Sequence, residues 1–409
     1  MKVVVVGAGG REHGLAEVLG RSAEVVVTPG NPGIPGSVAT PVQELVADGS
    51  VDLVVVGPEQ PLVDGLADEL RASGQRVFGP GADGAQVEGS KAFMKQLALD
   101  AGLPTARFGA FAEVEPALAF LRTLPGFYVV KTDGLAAGKG VLVTESLAEA
   151  EADVRDKLSG SSFGDAGRRV VIEEGLTGPE VSVFAVCDGT RNVCLPPAQD
   201  FKRVGDGDTG PNTGGIGAWS PLPFLEDGFA EAAAERFVAP TLAALRAQGI
   251  DYRGALYAGF MVTPEGPKLL EYNVRFGDPD SQVVLLRMTS DLADLLVAAA
   301  DGDVSAVAAP TFSDDAAVLV VAASEGYPGT PRTGDVIEGW DAAAAVPGVT
   351  VLSAGVAADD RGRRITAGGR VLDVVGRGPD AATARARAYA GVACLSWPGM
   401  HHRTDIAAG

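Results

Sequence analysis

Residues 268–282 read KLLEYNVRFGDPDSQ, and the first half of this stretch alternates polar side chains with apolar, β-favouring ones. The alternation predicts a strand over 268–276, in which side chains two residues apart share a face. Glu271, Asn273 and Arg275 then lie side by side. The carboxylate and the carboxamide supply hard oxygen ligands for Mg²⁺, and the guanidinium supplies a planar fork for phosphate or carboxylate oxygens. A solvated strand face is the alternative that this stretch alone leaves open.

The neighbouring segments predict a hairpin flanked by helices. Residues 254–262 form the partner strand, with the turn at 263–267. Helices are expected at 228–248, 281–287 and 291–300. The predicted strand at 268–276 is therefore the second strand of a hairpin inside an α+β domain.

The composition is that of an ordinary globular protein without a polyanionic partner. The 409 residues exceed a single hydrophobic core, so roughly two to four domains are expected. A formal net charge of −20 repels nucleic acid and anionic membrane surfaces. The three cysteines have no metal-ligand spacing and indicate a reducing compartment, and no apolar run approaches the roughly 18 residues of a membrane span. We expect a cytoplasmic protein with neither nucleic acid nor membrane as a partner.

The first 89 residues predict a Rossmann-like domain with a doubly wound parallel sheet. Four valines at 3–6 are typical of a strand buried on both faces, and glycines and a helix at 12–19 follow them. The remaining elements are expected as strands at 24–28, 52–56 and 76–78 and a helix at 64–73. Such a domain places its ligand site at the carboxyl ends of the strands.

The glycine loop after the first strand, GAGGRE at 7–12, departs twice from a dinucleotide fingerprint. Glu12 stands where the third glycine belongs, and Thr28 rather than an acidic residue ends the second strand. Glycines ahead of a helix still hold a phosphate through backbone N–H groups. We therefore favour a phosphate-bearing sugar over a nicotinamide dinucleotide, and a plain tight turn stays open as an alternative.

A second glycine-rich segment, DGLAAGKG at 133–140, lies between the predicted strands 128–131 and 141–144. It is not a Walker A loop, because Gly140 replaces Ser or Thr after Lys139 and a strand rather than a helix follows. A hairpin tip with free backbone N–H groups and two lysines, Lys131 and Lys139, suits a lid over phosphates. A flexible hairpin with surface lysines is the alternative.

Three further segments give weaker signals. The sequence EGSK at 88–91 predicts a helix start, where Lys91 opposes the helix dipole unless a nucleotide lies nearby. The predicted strand at 169–173 ends in Glu173 and Glu174, a possible hinge for an adenine ring, although adjacent glutamates are usually solvated. The loop GDGDTGPNTGGIG at 205–217 is long enough to close over a reactive intermediate.

The predicted secondary structure changes to short strands and turns near residue 316. Short strands are expected at 318–322, 349–355 and 371–375, followed by a final helix at 380–395. We expect a separate α+β module that completes the fold, and we assign no site residue to it.

Taken together, these motifs resemble the glycinamide ribonucleotide synthetases (phosphoribosylamine–glycine ligases) of the ATP-grasp superfamily over essentially the whole chain. RFGDPD at 275–280, followed by Gln282, is similar to the family signature. The other similar segments are VGPE (56–59), EGSKAF (88–93), VVKTDGLAAGKG (129–140), GDGDTGPNTGGIGAWSP (205–221) and YAGFM (257–261). Three positions depart from the family pattern: Phe201 replaces a frequent His, Ile216 a common Met, and Asp280 the usual Glu. The first two leave the expected metal and phosphate ligands untouched.

The resemblance implies a fold, a reaction and a setting. The fold has a Rossmann-like domain at 1–89, an ATP-grasp domain of two α+β subdomains at 90–310 with a lid at about 105–180, and a small α+β domain at 311–409. The reaction joins glycine to 5-phosphoribosylamine through glycyl phosphate in de novo purine synthesis, and it consumes ATP. The implied cofactors are ATP and Mg²⁺ or Mn²⁺, and the implied assembly is a monomer or a weak dimer.

The resemblance also implies roles for individual residues. The metal ligands are Glu271 and Asn273, and the catalytic residues are Arg275 and Lys139. The residues expected to bind the nucleotide are Lys91, Lys131, Gly138, Lys139, Gly140, Glu173, Glu174, Leu176 and Glu180. The residues expected to bind the other substrates are Gly9, Gly10, Arg11, Asn31, Pro32, Glu59, Asp200, Lys202, Arg203 and Asp278.

Other functions stay open beside this one. Within the superfamily, they are another carboxylate–amine ligase or a biotin-dependent carboxylase subunit, which the N-terminal phosphate loop and the RFGDPD segment disfavour. Outside it, they are a non-catalytic nucleotide sensor and a nicotinamide-binding oxidoreductase. Glu271, Asn273 and Arg275 together disfavour the sensor, and the missing third glycine disfavours the oxidoreductase.

Overall fold

The computed structural model describes residues 1–135, 140–160 and 168–408. The chain begins with a four-stranded parallel sheet in the order β2-β1-β3-β4. Its strands are β1 (Lys2–Gly7), β2 (Glu24–Pro29), β3 (Leu53–Val56) and β4 (Val77–Phe78), and its helices are α1 (Gly10–Leu19), α2 (Val42–Val46), α3 (Glu59–Val63), α4 (Leu66–Ala72) and α5 (Ala82–Gly89). The valines of β1 pack alternately into two hydrophobic cores, which confirms the doubly wound prediction. The helix expected at 64–73 is α4, and a short additional helix, α3, precedes it.

The next segment forms a small antiparallel sheet covered by two helices, called the lid region below. Helix α6 (Lys91–Asp100) precedes it. The lid region consists of β5 (Phe108–Phe111), α7 (Val114–Leu121), β6 (Tyr128–Thr132), β7 (Val141–Thr144), α8 (Leu147–Leu158) and β8 (Val170–Glu174), with strand order β5-β8-β6-β7. Its helices and strands share a small apolar core of their own. The antiparallel pairing of β6 with β7 confirms the predicted hairpin, whose tip lies partly outside the described residues.

A second antiparallel sheet faces the lid region. Its order is β10-β9-β15-β16, and its two central strands are the longest of the four. The elements of this part are β9 (Glu180–Asp188), β10 (Asn192–Cys194), β11 (Gln199–Asp200), β12 (Arg203–Gly205), β13 (Thr209–Asn212), β14 (Gly217–Ser220), α9 (Phe229–Ala233), a π-helical turn (Ala234–Val238), α10 (Ala239–Ala247), β15 (Arg253–Thr263), β16 (Gly266–Asn273), α11 (Asp280–Leu285), α12 (Leu292–Asp301) and a 3₁₀ turn (Val304–Ala306). The loop expected at 205–217 contains a short hairpin, β12 with β13, because the glycines there allow a tight reversal.

The last segment forms the small α+β part that the sequence predicts, but its sheet also includes strands from the central segment. Its elements are β17 (Ala316–Ala323), α13 (Trp340–Ala344), β18 (Val349–Ser353), β19 (Val356–Ala358), β20 (Arg364–Thr366), β21 (Arg370–Gly378) and α14 (Ala381–Val392). Three of these strands continue a sheet begun by β11 and β14, in the order β11-β14-β17-β21-β18. One hydrophobic core then joins residues of the first, central and last segments, such as Leu15, Phe184 and Leu352. Local sequence patterns do not reveal this pairing, because its partners lie about a hundred residues apart.

No helix within the described residues combines the length and the apolar character that crossing a membrane requires.

Candidate active site

A cavity of about 530 Å³ lies between the lid region and the strands β15 and β16. Its lining combines a group of apolar side chains with a dense group of charged ones, called its apolar and charged ends below. The predicted site residues that line it are Arg11, Glu59, Lys91, Lys131, Gly140, Glu173, Glu174, Leu176, Glu180, Asp200, Lys202, Glu271, Asn273, Arg275 and Asp278. Residues from three segments of the chain thus meet in one place.

The carboxylate of Glu271 and the amide of Asn273 enter this cavity from β16. A register shift between Gly259 and Phe260 of β15 marks a β-bulge beside them, a feature that often re-aims side chains next to active sites. Burial alone would raise the pKa of Glu271, but Lys202, Lys131 and Lys91 outweigh it and hold the pKa at about 2. Glu271 is therefore ionised at every physiological pH.

Arg275 lines the same cavity, although the strand is shorter than predicted. β16 ends at Asn273 because the next backbone N–H, that of Val274, donates to Oε2 of Glu88 (2.8 Å) rather than to a strand. The guanidinium of Arg275 is held by Oε2 of Glu59 at 3.1 Å and Oε1 of Glu88 at 3.2 Å. Two carboxylates thus fix its direction, and sequence spacing indicated neither pairing.

The lysines of the lid side converge on the charged end. Nζ of Lys131 lies 2.7 Å from Oε1 of Glu173 and 3.5 Å from the carbonyl oxygen of Leu270. Lys91 donates to the carbonyl oxygen of Gly134 at 3.0 Å, so it is not the solvated lysine that its position suggests. Glu173, expected at the adenine hinge, uses its carboxylate to hold lysines and cannot also face solvent.

A second charged cluster forms on the opposite wall. Lys202 makes an ion pair with Glu180, one of the residues expected to bind the nucleotide. Burial alone would lower the pKa of Lys202, but Asp200 and Glu180 raise it well above its usual range. Lys202 is thus a fixed positive charge within reach of Glu271, whose pKa it lowers.

The apolar end is built from residues that the sequence analysis did not single out. They are Met94, Phe127, Val129, Val141, Val143 and Met261, which join Leu176. Gly175 allows Phe127 to pack close to the backbone, because a Cβ at that position would lie 2.0 Å from the ring. Alternation in the lid strands was the available signal, but it does not tell a core face from a ligand-facing one.

Five predicted residues do not line the cavity: Gly9, Gly10, Asn31, Pro32 and Arg203. Gly9 donates its N–H to Oε2 of Glu12 at 2.7 Å, and Gly10 packs so closely on Asp373 that an added Cβ would lie 1.9 Å from Oδ2. The amide of Asn31 donates to the carbonyl oxygens of Ala8 and Ala354.

Pro32 is exposed, and Arg203 donates to the carbonyl oxygen of Gly210. In this structure the N-terminal loops therefore hold segments together beside the cavity. Gly138 and Lys139 lie outside the described residues.

The last segment contributes a residue that the sequence analysis missed. The guanidinium of Arg370 lines the cavity and donates to Oδ2 of Asp278 at 2.7 Å and to the carbonyl oxygen of Gly214 at 2.7 Å. Oδ1 of Asp278 accepts a hydrogen bond from Gln282 at 2.8 Å. Burial alone would raise the pKa of Asp278, but Arg370 and Arg11 lower it.

The sequence of the chain matches three models of one protein family. Three family models match in sequence: the N domain of phosphoribosylglycinamide synthetase at residues 1–88, its ATP-grasp (A) domain at 89–281 and its C domain at 317–409. The chain belongs to the phosphoribosylglycinamide synthetase family. Phosphoribosylamine–glycine ligases of Xanthomonas campestris and Escherichia coli are 48% and 46% identical to it, over 99% of this chain and 97% and 98% of theirs.

Solved structures agree with the family. The phosphoribosylamine–glycine ligase of Thermotoga maritima is 33% identical, covers 99% of this chain and 100% of its own, and superposes with a TM-score of 0.84. The biotin carboxylase domain of the Hydrogenobacter thermophilus 2-oxoglutarate carboxylase has a TM-score of 0.73 over 98% of this chain and 91% of its own. At 16% identity, that second likeness shows a shared fold and nothing more.

A member of the phosphoribosylglycinamide synthetase family uses ATP and a divalent metal, and the donor atoms of this cavity fit such an ion. Glu271 is an ionised carboxylate, and Asn273 supplies a neutral amide oxygen beside it. No group of three or more His, Cys, Asp and Glu side chains with metal-binding geometry occurs in the described part of the chain. An ion that takes its other ligands from phosphates and water needs only two ligands from the protein.

Proposed function

We propose that this cavity performs the family's ligation through a glycyl phosphate, with the residues around Glu271 as its centre. The ligation itself follows from family membership: with ATP, the enzyme joins glycine to 5-phosphoribosylamine in purine biosynthesis and yields N1-(5-phosphoribosyl)glycinamide, ADP and phosphate. The observation that carries the proposal is the convergence of Glu271, Asn273 and Arg275 with three lysines at one end of the cavity.

The nucleotide lies with its base in the apolar end and its phosphates at the charged end. A flat aromatic ring fits between Phe127, Met261 and Leu176, where burial of apolar surface stabilises it. The phosphates meet the ammonium groups of Lys131 and Lys91, with Gly140 beside them. The hairpin tip, including Gly138 and Lys139, closes over the phosphates in this proposal.

Glu271 and Asn273 hold the divalent ion, which is Mg²⁺ or Mn²⁺. When bound, such an ion neutralises charge on the terminal phosphates. Lys202 and Lys131 keep Glu271 ionised, so the ligand oxygen is available without a proton being displaced.

Arg275 neutralises the group that is transferred. A glycine carboxylate oxygen attacks the γ-phosphorus, the bond from that phosphorus to the β–γ bridging oxygen breaks, and ADP leaves. The amine nitrogen of phosphoribosylamine then bonds to the carbonyl carbon, phosphate departs, and the nitrogen loses a proton. Little covalent work falls to the protein, so positioning and charge neutralisation carry the rate.

The remaining predictions form part of the same proposal. Arg11, Glu59, Asp200, Lys202 and Asp278 surround the sugar and glycine, with Gly9, Gly10, Asn31, Pro32 and Arg203 in the adjoining loops. The domains divide at about residues 89 and 310, with the lid at about 105–180. The enzyme acts in the cytoplasm as a monomer or weak dimer.

The test of the metal site is Glu271→Gln, which removes the charge and keeps the shape. We expect activity to fall by about 100-fold or more at limiting Mg²⁺ and to recover in part at high metal, because one ligand of the ion is weakened. Ligation measured against metal concentration checks this. Glu265→Gln, in the exposed turn of the same hairpin, is the matched control. Identical metal dependence in wild type and Glu271→Gln contradicts the assignment.

The substrate is tested by ADP release. Glycine together with phosphoribosylamine stimulates release, whereas bicarbonate does not. Stimulation by bicarbonate and indifference to glycine contradict the proposed ligation and indicate carboxylase chemistry.

A further inference from the structure

A buried chain of three ionised groups lies behind the phosphate end of the cavity. Glu173 of β8 stands between two lysines: Oε1 lies 2.7 Å from Nζ of Lys131, and Oε2 lies 2.7 Å from Nζ of Lys95. The relative exposures are 6% for Lys131, 2% for Glu173 and 0% for Lys95. Only Lys131 and Glu173 reach the cavity wall, so Lys95 cannot touch a ligand.

Lys95 is not placed by packing alone. Helix α6 turns it inward, and its ammonium also donates to Oγ1 of Thr105 at 2.7 Å, which in turn donates to the carbonyl oxygen of Leu269 in β16 at 2.6 Å. The ring of Phe108 lies 6.0 Å from the same nitrogen. A buried lysine with these partners is a specific feature, because transfer of a cation out of water is strongly unfavourable unless the cation is paired.

The net charge of Lys131, Glu173 and Lys95 indicates a role for Lys95. Glu173 fixes Lys131 in place, but a carboxylate at 2.7 Å also cancels the charge that a phosphate would need. A second lysine on the other oxygen restores one net positive charge to the group of three. Burial alone would raise the pKa of Glu173, but Lys131 and Lys95 lower it, so the carboxylate stays ionised between them.

We propose that Lys95 is a positioning residue which neutralises Glu173, so that Lys131 is held rigidly and still presents a full positive charge to the nucleotide phosphates. This inference rests on the proposed placement of the phosphates beside Lys131. It predicts that the influence of Lys95 on phosphate binding depends on the charge of Glu173.

The experiment measures binding of ATP and of adenosine to the full chain by titration calorimetry. For Lys95→Met we expect ATP to bind about tenfold more weakly and adenosine to change by less than about twofold, because only the phosphates sense the lost charge. Equal weakening of ATP and adenosine overturns the proposal.

A charge-restored variant keeps the test decisive if Lys95→Met folds poorly. In Lys95→Met/Glu173→Gln the carboxylate that needs neutralising is gone, so ATP binding returns to within about threefold of wild type. Failure of that restoration in a folded protein overturns the proposal. Lys157→Met is the matched control, since Lys157 is an equally buried lysine, paired with Asp153 on α8 and away from the cavity.

These readouts separate the inference from the proposed function. If ATP binds but glycine does not stimulate ADP release, the ligation is contradicted and the role of Lys95 in phosphate binding is still measured. If Lys131→Met leaves ATP affinity unchanged, the placement of the phosphates is wrong and the inference falls with it.

Discussion

Arg275 shows how one side chain in this enzyme depends on partners far along the chain. Glu59 and Glu88, which orient its guanidinium, lie 216 and 187 residues away in sequence. Burial alone would raise the pKa of Glu88, and it does so on balance even though Arg275 opposes it. The cation is therefore the member of this cluster that holds its charge most firmly.

His13 lies buried between the first and last segments. Its Nδ1 accepts a hydrogen bond from the N–H of Ser353 at 2.7 Å, and burial lowers its pKa from 6.5 to about 4. The unfolded chain therefore binds a proton near pH 6.5 and the folded chain only near pH 4. The free energy of unfolding that the neutral ring contributes is fully present above pH 6.5. It is lost as the pH falls through 4, by up to about 3 kcal/mol.

The measurement is the free energy of urea unfolding at pH 7, 5.5 and 4. We expect the wild type to lose about 3 kcal/mol more than His13→Gln over this range, because glutamine can accept the same hydrogen bond without titrating. His401→Gln, at an exposed histidine, serves as the control and keeps the wild-type slope. Parallel slopes for wild type and His13→Gln contradict the prediction.

The start of β21 holds together two segments that line the cavity. Its first residue, Arg370, donates to Gly214 ahead of β14 and, through both Nη atoms, to the carbonyl oxygen (2.9 Å) and Oδ2 (2.7 Å) of Asp278 ahead of α11. A planar guanidinium makes these contacts simultaneously, whereas an ammonium group cannot. Arg370 of β21 therefore positions the glycine-rich loop at 205–217 against the turn at 275–280.

Arg370→Lys tests this fastening. We expect the ratio kcat/KM for glycine to fall by about 10- to 100-fold while the fold is retained, since a loss of about 1.5–3 kcal/mol follows when a charged hydrogen-bonding group is left unpaired. Steady-state kinetics and circular dichroism measure the two effects. Arg377→Lys, farther along β21 and away from the cavity, is the matched control. Wild-type kinetics in Arg370→Lys contradict the role.

The five-stranded sheet makes the last segment continuous with the part of the molecule that contains the cavity. β14 pairs with β17 through four residues on each strand, and one hydrophobic core runs through all three segments. Removing β17 leaves unpaired the edge of β14 that faces it and exposes the apolar faces packed against β17.

A chain that ends at residue 310 is therefore expected to aggregate or to lack a cooperative thermal transition, whereas the intact chain melts with its three segments coupled. Size-exclusion chromatography and calorimetry measure this. A monomeric truncated chain with a sharp transition contradicts the prediction and shows that the rest of the chain folds without the last segment.

Periodicity and turn chemistry alone gave the parallel sheet of the first segment, the lid hairpin and the hairpin β15–β16. These elements are set by nearest neighbours: valine runs, alternation and glycine turns act over a few residues. The family resemblance rests on the same local strings. Placement of Glu271 and Asn273 on one cavity wall also followed from alternation along a single strand.

Only the tertiary structure decided which charges meet. The pairing of Lys95 with Glu173, the clamp of Glu88 on Arg275 and the entry of Arg370 into the cavity join residues 78 to 187 positions apart or from different segments. No local pattern encodes such contacts, because burial brings these ions together only after the sheets have packed. A charged residue is stable inside a protein only where it is paired with partners of opposite charge, and the fold as a whole determines which partners it meets.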